Sequence, residues 1–316
     1  MTAIKSETLE TQRSDYRRQR RRHGARYRRR DALLFCLFVL PNVVIITVFN
    51  YWPNIQSFYL SLTSWDFIAP RPIFVGLKNY ADLLGDVEFW EVMKNSLIYA
   101  ACSVIFPIVL GLGIAVVISS KIRGRAVART LVFLPHIVTG SAIAMLWLFM
   151  FNPQFGLIRA VLGPLGITSP DWTHDPNWSL WSIIIVHVWS KLGFVAIIYS
   201  AALLGLPQDV YEAAQLDGAS AWSRFTRITL PLLSPITLFL VIIETLGSFQ
   251  AYELTKIITG GGPGTSSTTL TWYIYELAFS SFDVGHASAA GVVLFFVLLT
   301  ITIVQFTVSR KRVHYQ

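Results

Sequence analysis

The chain has 316 residues, of which 53% are hydrophobic and 14% charged, with a mean hydropathy of +0.53 and a net charge of +8. Soluble domains carry about 25% charged residues, so this composition excludes an ordinary soluble fold and points to a membrane protein. Two cysteines, Cys36 and Cys102, both inside apolar runs, and six scattered histidines supply neither a disulfide framework nor a metal-ligand spacing.

In chain order, residues 1–31 form an arginine-rich arm holding Lys5, Arg13 and the arginines from Arg17 to Arg30. No stacking platform or nucleic-acid motif surrounds it, and it directly precedes an apolar run, so it is read as a topology and lipid signal rather than a nucleic-acid site. That run is too long for a signal peptide and lacks a small-residue cleavage site, which predicts an uncleaved first helix.

Six runs approach or exceed the roughly 20 residues that span a bilayer core. They are Leu33–Tyr51, Ser96–Ser119, Thr130–Phe151, Leu180–Leu204, Leu232–Phe249 and Ala287–Val308. Each is predicted to be helical, because backbone groups left unpaired in hydrocarbon cost several kcal/mol and the runs lack the alternation of barrel strands. Pro41, Pro107 and Pro235 are compatible with kinked spans, and Glu244 and Gln250 interrupt the fifth. The expected fold is therefore all-α: a polytopic domain over residues 32–316 with six transmembrane helices.

Basic residues set the orientation. Lys121, Arg123, Arg125 and Arg129 crowd the second connection, and Arg310, Lys311 and Arg312 the tail, whereas the connections after spans one, three and five hold few. The positive-inside rule then puts both termini and the segment 207–231 in the cytoplasm.

Within the fourth run, His187, Ser190, Lys191 and Phe194 recur at three- and four-residue steps and share a helical stripe. Glu244, Ser248 and Tyr252 are spaced by four and are expected to share a face of the fifth. Charges at mid-bilayer cost at least about 2.5 kcal/mol on insertion scales, so Lys191 and Glu244 should face the bundle interior. They either line a solute path or pair with each other as structural glue, and His187 and Trp189 are open to a packing role. In segment 207–231, Asp209 is expected to cap a short helix, Gly218 to end it, and Ser220 to cap a second. The glycine-rich "TGGGPGTSS" at Thr259–Ser267 lacks the lysine of a phosphate-binding loop, so no nucleotide site is read in this chain.

The stretch "EAAQLDGASAWSRFTRITLP" resembles the EAA loop of inner-membrane subunits of binding-protein-dependent ABC importers, through Glu212, Ala213, Ala214, Gly218, Ile228, Leu230 and Pro231. "FVGLKNY", "LVFLPHIV" and "ITGGGP" are similar to the carbohydrate-uptake branch, the maltose and glycerol-3-phosphate permeases. The resemblance implies a bacterial-type inner-membrane permease subunit that is not itself an enzyme. It also implies a second homologous permease, a pair of ATPase subunits that bind ATP and Mg, and an external solute-binding protein. Glu212, Ala213, Ala214, Asp217 and Gly218 would then form the ATPase-coupling loop. The tail "TIVQFTVSRKRVHYQ" is similar to glycerol-3-phosphate permeases and inclines the reading to a phosphorylated polyol over a neutral sugar. The rivals are a proton-coupled secondary transporter titrating Glu244 or His187, and an embedded enzyme using the same pair, for which no nucleophile or metal set is present.

Overall fold

The structure, a computed structural model, describes residues 34–120, 124–250 and 252–309. The arginine-rich arm and the basic tail lie outside the described residues.

The chain divides into two units, residues 1–59 and residues 60–316. The first is described from Leu34, as helix α1, Leu34–Leu60, which runs on nine residues past the expected Tyr51. It widens into a π turn over Thr47–Tyr51 just ahead of Pro53, whose missing N–H breaks the regular ladder.

The second unit opens with a two-stranded antiparallel hairpin, β1 (Thr63–Ser64) and β2 (Ile73–Phe74), pairing Thr63 with Phe74 and Ser64 with Ile73. This small sheet departs from an all-helical expectation. It is held by side chains outside it: the Asn79 amide of α2 (Lys78–Gly85) donates to the Ser61 and Thr63 carbonyls at 2.8 and 2.9 Å.

Helix α3, Val87–Ser119, is 33 residues long, nine residues longer at its start than the apolar run. Asp86 caps it, its carboxylate accepting from the Glu88 amide at 3.0 Å, so the polar turns "VEFWEVMKN" extend the helix beyond the hydrocarbon limit. Its main partner is α7, Ser179–Leu204. The two approach through small residues: Ala115 and Ala196 are fully buried, as transmembrane packing favours. A shorter helix, α6 (Leu157–Leu162), lies in the connection that leads into α7.

The expected third span is not one helix. It is α4 (Arg125–Ile137) and α5 (Gly140–Met150), meeting at 100°. Val138 and Thr139 are extended between them, just after Pro135, which removes a ladder donor and weakens the last turn. The expected fifth span is bent as well. Helix α8 (Gln208–Leu216) leads to α9 (Ala221–Leu232), which meets α10 (Ser234–Ser248) at 63°. Helix α10 stops at Ser248, and Tyr252 begins a separate helix, α11 (Tyr252–Ile258). Helix α12 (Leu270–Tyr275) runs on into a π turn, Glu276–Ser280, and α13 (Val284–Ser309) completes the fold.

Four helices, α1, α3, α7 and α13, are each long and apolar enough to cross a membrane, and the number rises to six if each bent pair is one span. Large apolar side chains such as Val109, Leu110, Phe149 and Phe296 are exposed along them. A surface of this kind suits lipid or a partner subunit and not water.

Candidate functional site

A cavity of about 420 Å³ opens where the two helix breaks face α7. The α4–α5 break contributes Pro135, His136 and Gly140, α7 contributes His187, Ser190 and Lys191, and the α10–α11 break contributes Gln250, Tyr252 and Glu253. Non-helical backbone at membrane depth is tolerated where it lines a cavity, and discontinuous helices are a recurrent way of building transport sites.

His187 is 3% exposed. Its Nδ1 lies 2.8 Å from the Tyr99 hydroxyl, while Nε2 has no hydrogen-bond partner among the described residues. Ser190 donates to the His187 carbonyl at 2.7 Å, so its remaining capacity on the cavity side is as an acceptor. Lys191 forms no ion pair among the described residues, where the only pairs join histidines to aspartates. Tyr252 packs against Trp272 and Tyr275, with the Lys256 ammonium 5.4 Å from its ring centre. Glu253 accepts from Ser141 Oγ at 3.2 Å across the α5–α11 contact. A Cβ at Gly140 would meet the Glu253 carboxylate, so the start of α5 and the Glu253 side chain lie against each other at the cavity.

The fourth-run stripe thus brings His187, Ser190 and Lys191 to the cavity. Phe194 stands behind it, stacked on His136 with ring centres 4.8 Å apart. The fifth-run stripe does not hold together. Glu244 and Ser248 are each 2% exposed within α10 and do not line the cavity, whereas Tyr252 does so from a different helix. The break after Ser248 interrupts the four-residue period on which that expectation rested. Glu244 Oε2 has no hydrogen-bond partner among the described residues, and no Lys191–Glu244 ion pair is present among them. His136, Gln250 and Glu253 are cavity residues that the sequence reading left out. Gln250 and Glu253 were visible as polar residues at the end of an apolar run, but only the break turns them inward.

The second feature is the segment between α7 and α10. Pro207, not Asp209, occupies the N-cap of α8, and it makes no side-chain cap. Asp209 sits in the first turn, where a carboxylate favours the positive end of the helix. Gly218 has φ +75°, and behind it Ala219 N donates to Ala214 O at 3.0 Å, the wrap-around bond of a left-handed helix end. Ser220 caps α9 by accepting from Ser223 N at 3.2 Å. The Tyr211 hydroxyl lies 2.7 Å from Thr229 Oγ1 and ties the two helices into one knuckle. Glu212, Ala213 and Asp217 are exposed on it, Ala214 is half-buried, and Leu216 and Trp222 are 90% and 74% exposed.

At the opposite end of α7, ahead of its first residue, Asp171 closes a turn, its Oδ1 accepting from the amides of Thr173 and His174 at 3.2 and 3.0 Å. Partial burial works against its charge, but these amides and the His174 ring hold the carboxyl below its ordinary range.

Residues 107–315 match the family described as binding-protein-dependent transport system inner membrane component. The chain is 34% identical over 283 residues to the trehalose/maltose transport system permease protein MalF of Thermococcus litoralis, covering 90% of this chain and 96% of that protein. It is 31% identical over 286 residues to the sn-glycerol-3-phosphate transport system permease protein UgpA of Agrobacterium fabrum, covering 90% and 97%. A chain in the crystal structure of a bacterial alginate ABC transporter, in complex with an alginate pentasaccharide-bound periplasmic protein, superposes with a TM-score of 0.78 at 27% identity, covering 90% of this chain and 96% of that one.

Proposed function

The chain belongs to the family of binding-protein-dependent transport system inner membrane components, and on that footing we propose that it moves a carbohydrate-type solute by alternating access, driven through the α8–α9 knuckle. It is a multi-pass inner-membrane permease subunit of the sugar and glycerol-phosphate importers, non-catalytic, with ATP hydrolysis residing in a partner ATPase.

In this reading each bent pair is one span, giving six, with both termini and residues 207–231 on the cytoplasmic side. A second homologous permease completes the pathway, an external binding protein delivers solute, and the ATPase pair holds ATP and Mg.

One observation carries the coupling: both helices that leave the knuckle reach the cavity. Helix α7 ends at Leu204 just before it and carries His187, Ser190 and Lys191. Helix α10 leaves it at 63° to α9 and ends at the cavity, with Gly247 in its last turn and Gln250 just beyond its end. From Lys191 to Leu204 is about 20 Å of helix at 1.5 Å per residue. Displacing the knuckle therefore moves two walls of the cavity through rigid elements. Glu212, Ala213, Ala214, Asp217 and Gly218 are the proposed contact with the ATPase.

The solute is read as a neutral sugar. The cavity sets one ammonium, Lys191, against one carboxylate, Glu253, and adds the Gln250 amide, two imidazoles and the Tyr252 ring. Opposite charges offset one another as an attraction for phosphate, while amide, hydroxyl and ring suit a hydroxyl-rich face. The inclination to a phosphorylated polyol drawn from the stretch Thr302–Gln316 gives way here, because α13, which holds that stretch as far as Ser309, contributes no residue to the cavity.

The test is solute-stimulated ATP hydrolysis by the reconstituted complex of both permeases, the ATPase pair and the binding protein. Neutral oligosaccharides should stimulate it. Stimulation by phosphorylated polyols alone would overturn the solute reading and leave the permease reading standing. Uptake by the isolated chain on a proton gradient, with no ATPase, would overturn both and favour the secondary transporter using Glu244 or His187.

A further inference from the structure

Arg129 lies in α4 where that helix packs beside the ends of α3 and α7, at the knuckle end of the bundle. Its Nη2 donates to Ser200 Oγ at 3.2 Å, and Ser119 Oγ donates to the same oxygen at 2.9 Å. Ser200 is buried and Arg129 half-buried, with Nε enclosed and without a hydrogen-bond partner among the described residues. No carboxylate pairs with the guanidinium among those residues. Nor does the local sequence provide one: residues 120–131 contain Lys121, Arg123, Arg125 and Arg129 and no acidic residue.

A guanidinium cannot discharge itself by losing its proton, and it presents five N–H donors in a planar fork. One is accounted for by Ser200. A half-buried permanent charge between apolar helices needs a counter-charge, and the planar fork matches two oxygens of a phosphate. Basic pockets between transmembrane helices at headgroup level are filled in this way by anionic lipids. Exposed arginines of the same segment, such as Arg125, have solvent to screen them and no such need.

We propose that Arg129, with the hydroxyl of Ser200, binds a phosphate group at the junction of α3, α4 and α7, carried either by an anionic lipid headgroup or by free phosphate. The site is separate from the solute cavity. Because Ser200 stands five residues before Gly205, which ends α7, a bound phosphate braces the helix that enters the knuckle.

The test uses the assembled complex in nanodiscs of phosphatidylcholine with phosphatidylglycerol as a minor component, and counts retained phosphatidylglycerol by native mass spectrometry, independently of transport. Wild type should retain one per chain. Arg129→Ala should lower retention about ten-fold, the scale of a lost hydrogen bond to a charged group, and Arg125→Ala should leave it unchanged. Arg129→Lys, which keeps the charge and loses the fork, should fall between them. Wild-type retention in Arg129→Ala would mean that Arg129 only staples α4 to α7. An equal loss in Arg125→Ala would mean diffuse surface attraction. Either result overturns the proposal. Should Arg129→Ala not assemble, Ser200→Ala and Arg129→Lys carry the test, and unchanged retention in both overturns it equally. Millimolar inorganic phosphate in a parallel arm separates the sources: displacement of the lipid assigns the site to free phosphate, and its persistence assigns it to the headgroup.

Discussion

His187 acquires its direction from one neighbour. A neutral imidazole uses one nitrogen as donor and the other as acceptor, so the Tyr99 hydroxyl at Nδ1 fixes the ring and leaves Nε2, enclosed and without a hydrogen-bond partner among the described residues, as its one uncommitted polar atom. Tyr99→Phe keeps the packing and removes the hydroxyl. It should raise the solute concentration for half-maximal ATP stimulation about ten-fold, the cost of one hydrogen bond in a buried network. An unchanged value would make His187 a packing residue. Gly193 matters for a different reason: a Cβ there would run into the Val132 carbonyl of α4, backbone against backbone. Gly193→Ala should cost about 1 to 3 kcal/mol by overpacking, seen as a lowered Tm of the solubilised complex. Gly113→Ala, which meets open space, should be silent in the same measurement.

At the scale of the element, the knuckle depends on one backbone conformation. Gly218 has room around it, since an added Cβ would meet nothing within 4 Å, so its requirement is the positive φ alone. A β-branched residue there should cost about 1 to 2 kcal/mol, whereas asparagine tolerates this region. The expected pattern is that Gly218→Val hydrolyses ATP without responding to solute, while Gly218→Asn keeps most of the response. Equal coupling in the two variants would remove the left-handed turn from the mechanism. The breaks flanking the cavity follow a similar logic, because Pro135 and the end of α10 surrender regular hydrogen bonds where a polar cavity can accept the freed groups.

For the whole molecule, the connection over residues 152–178 and the Thr259–Thr269 segment are the surface that the family resemblance implies for docking of a binding protein. The Thr259–Thr269 loop is anchored to α3, with Asn95 Nδ2 donating to Thr265 O at 2.8 Å and Thr265 Oγ1 donating to Glu91 at 2.9 Å. Asp171 holds its own turn, so the exposed His174 beside it is the better position for a cross-linker. Cross-links from His174→Cys and from Gly264→Cys to the binding protein should rise in the ATP-bound state, read as a shifted band on gels. Their absence in every state would take these loops out of the docking surface.

Run length and turn chemistry were sufficient to place the long helices and the knuckle, because apolar stretches and a Gly218–Ser220 pair act through local rules that need no distant partner. The limits of that legibility are equally local. The start of α3 is not legible as apolar sequence because its added turns are polar and held by the Asp86 cap, and the third run carries no signal of its break beyond Pro135. The solute cavity belongs to tertiary structure. Period alone grouped Glu244, Ser248 and Tyr252, and the chain breaks that period after Ser248, burying the first two and turning Tyr252 and Glu253 inward. The Arg129 corner likewise exists only because α3, α4 and α7 bring together residues up to 81 positions apart. Helices form from neighbours along the chain, whereas a cavity is made by which faces meet, and that is decided by packing among segments distant in sequence.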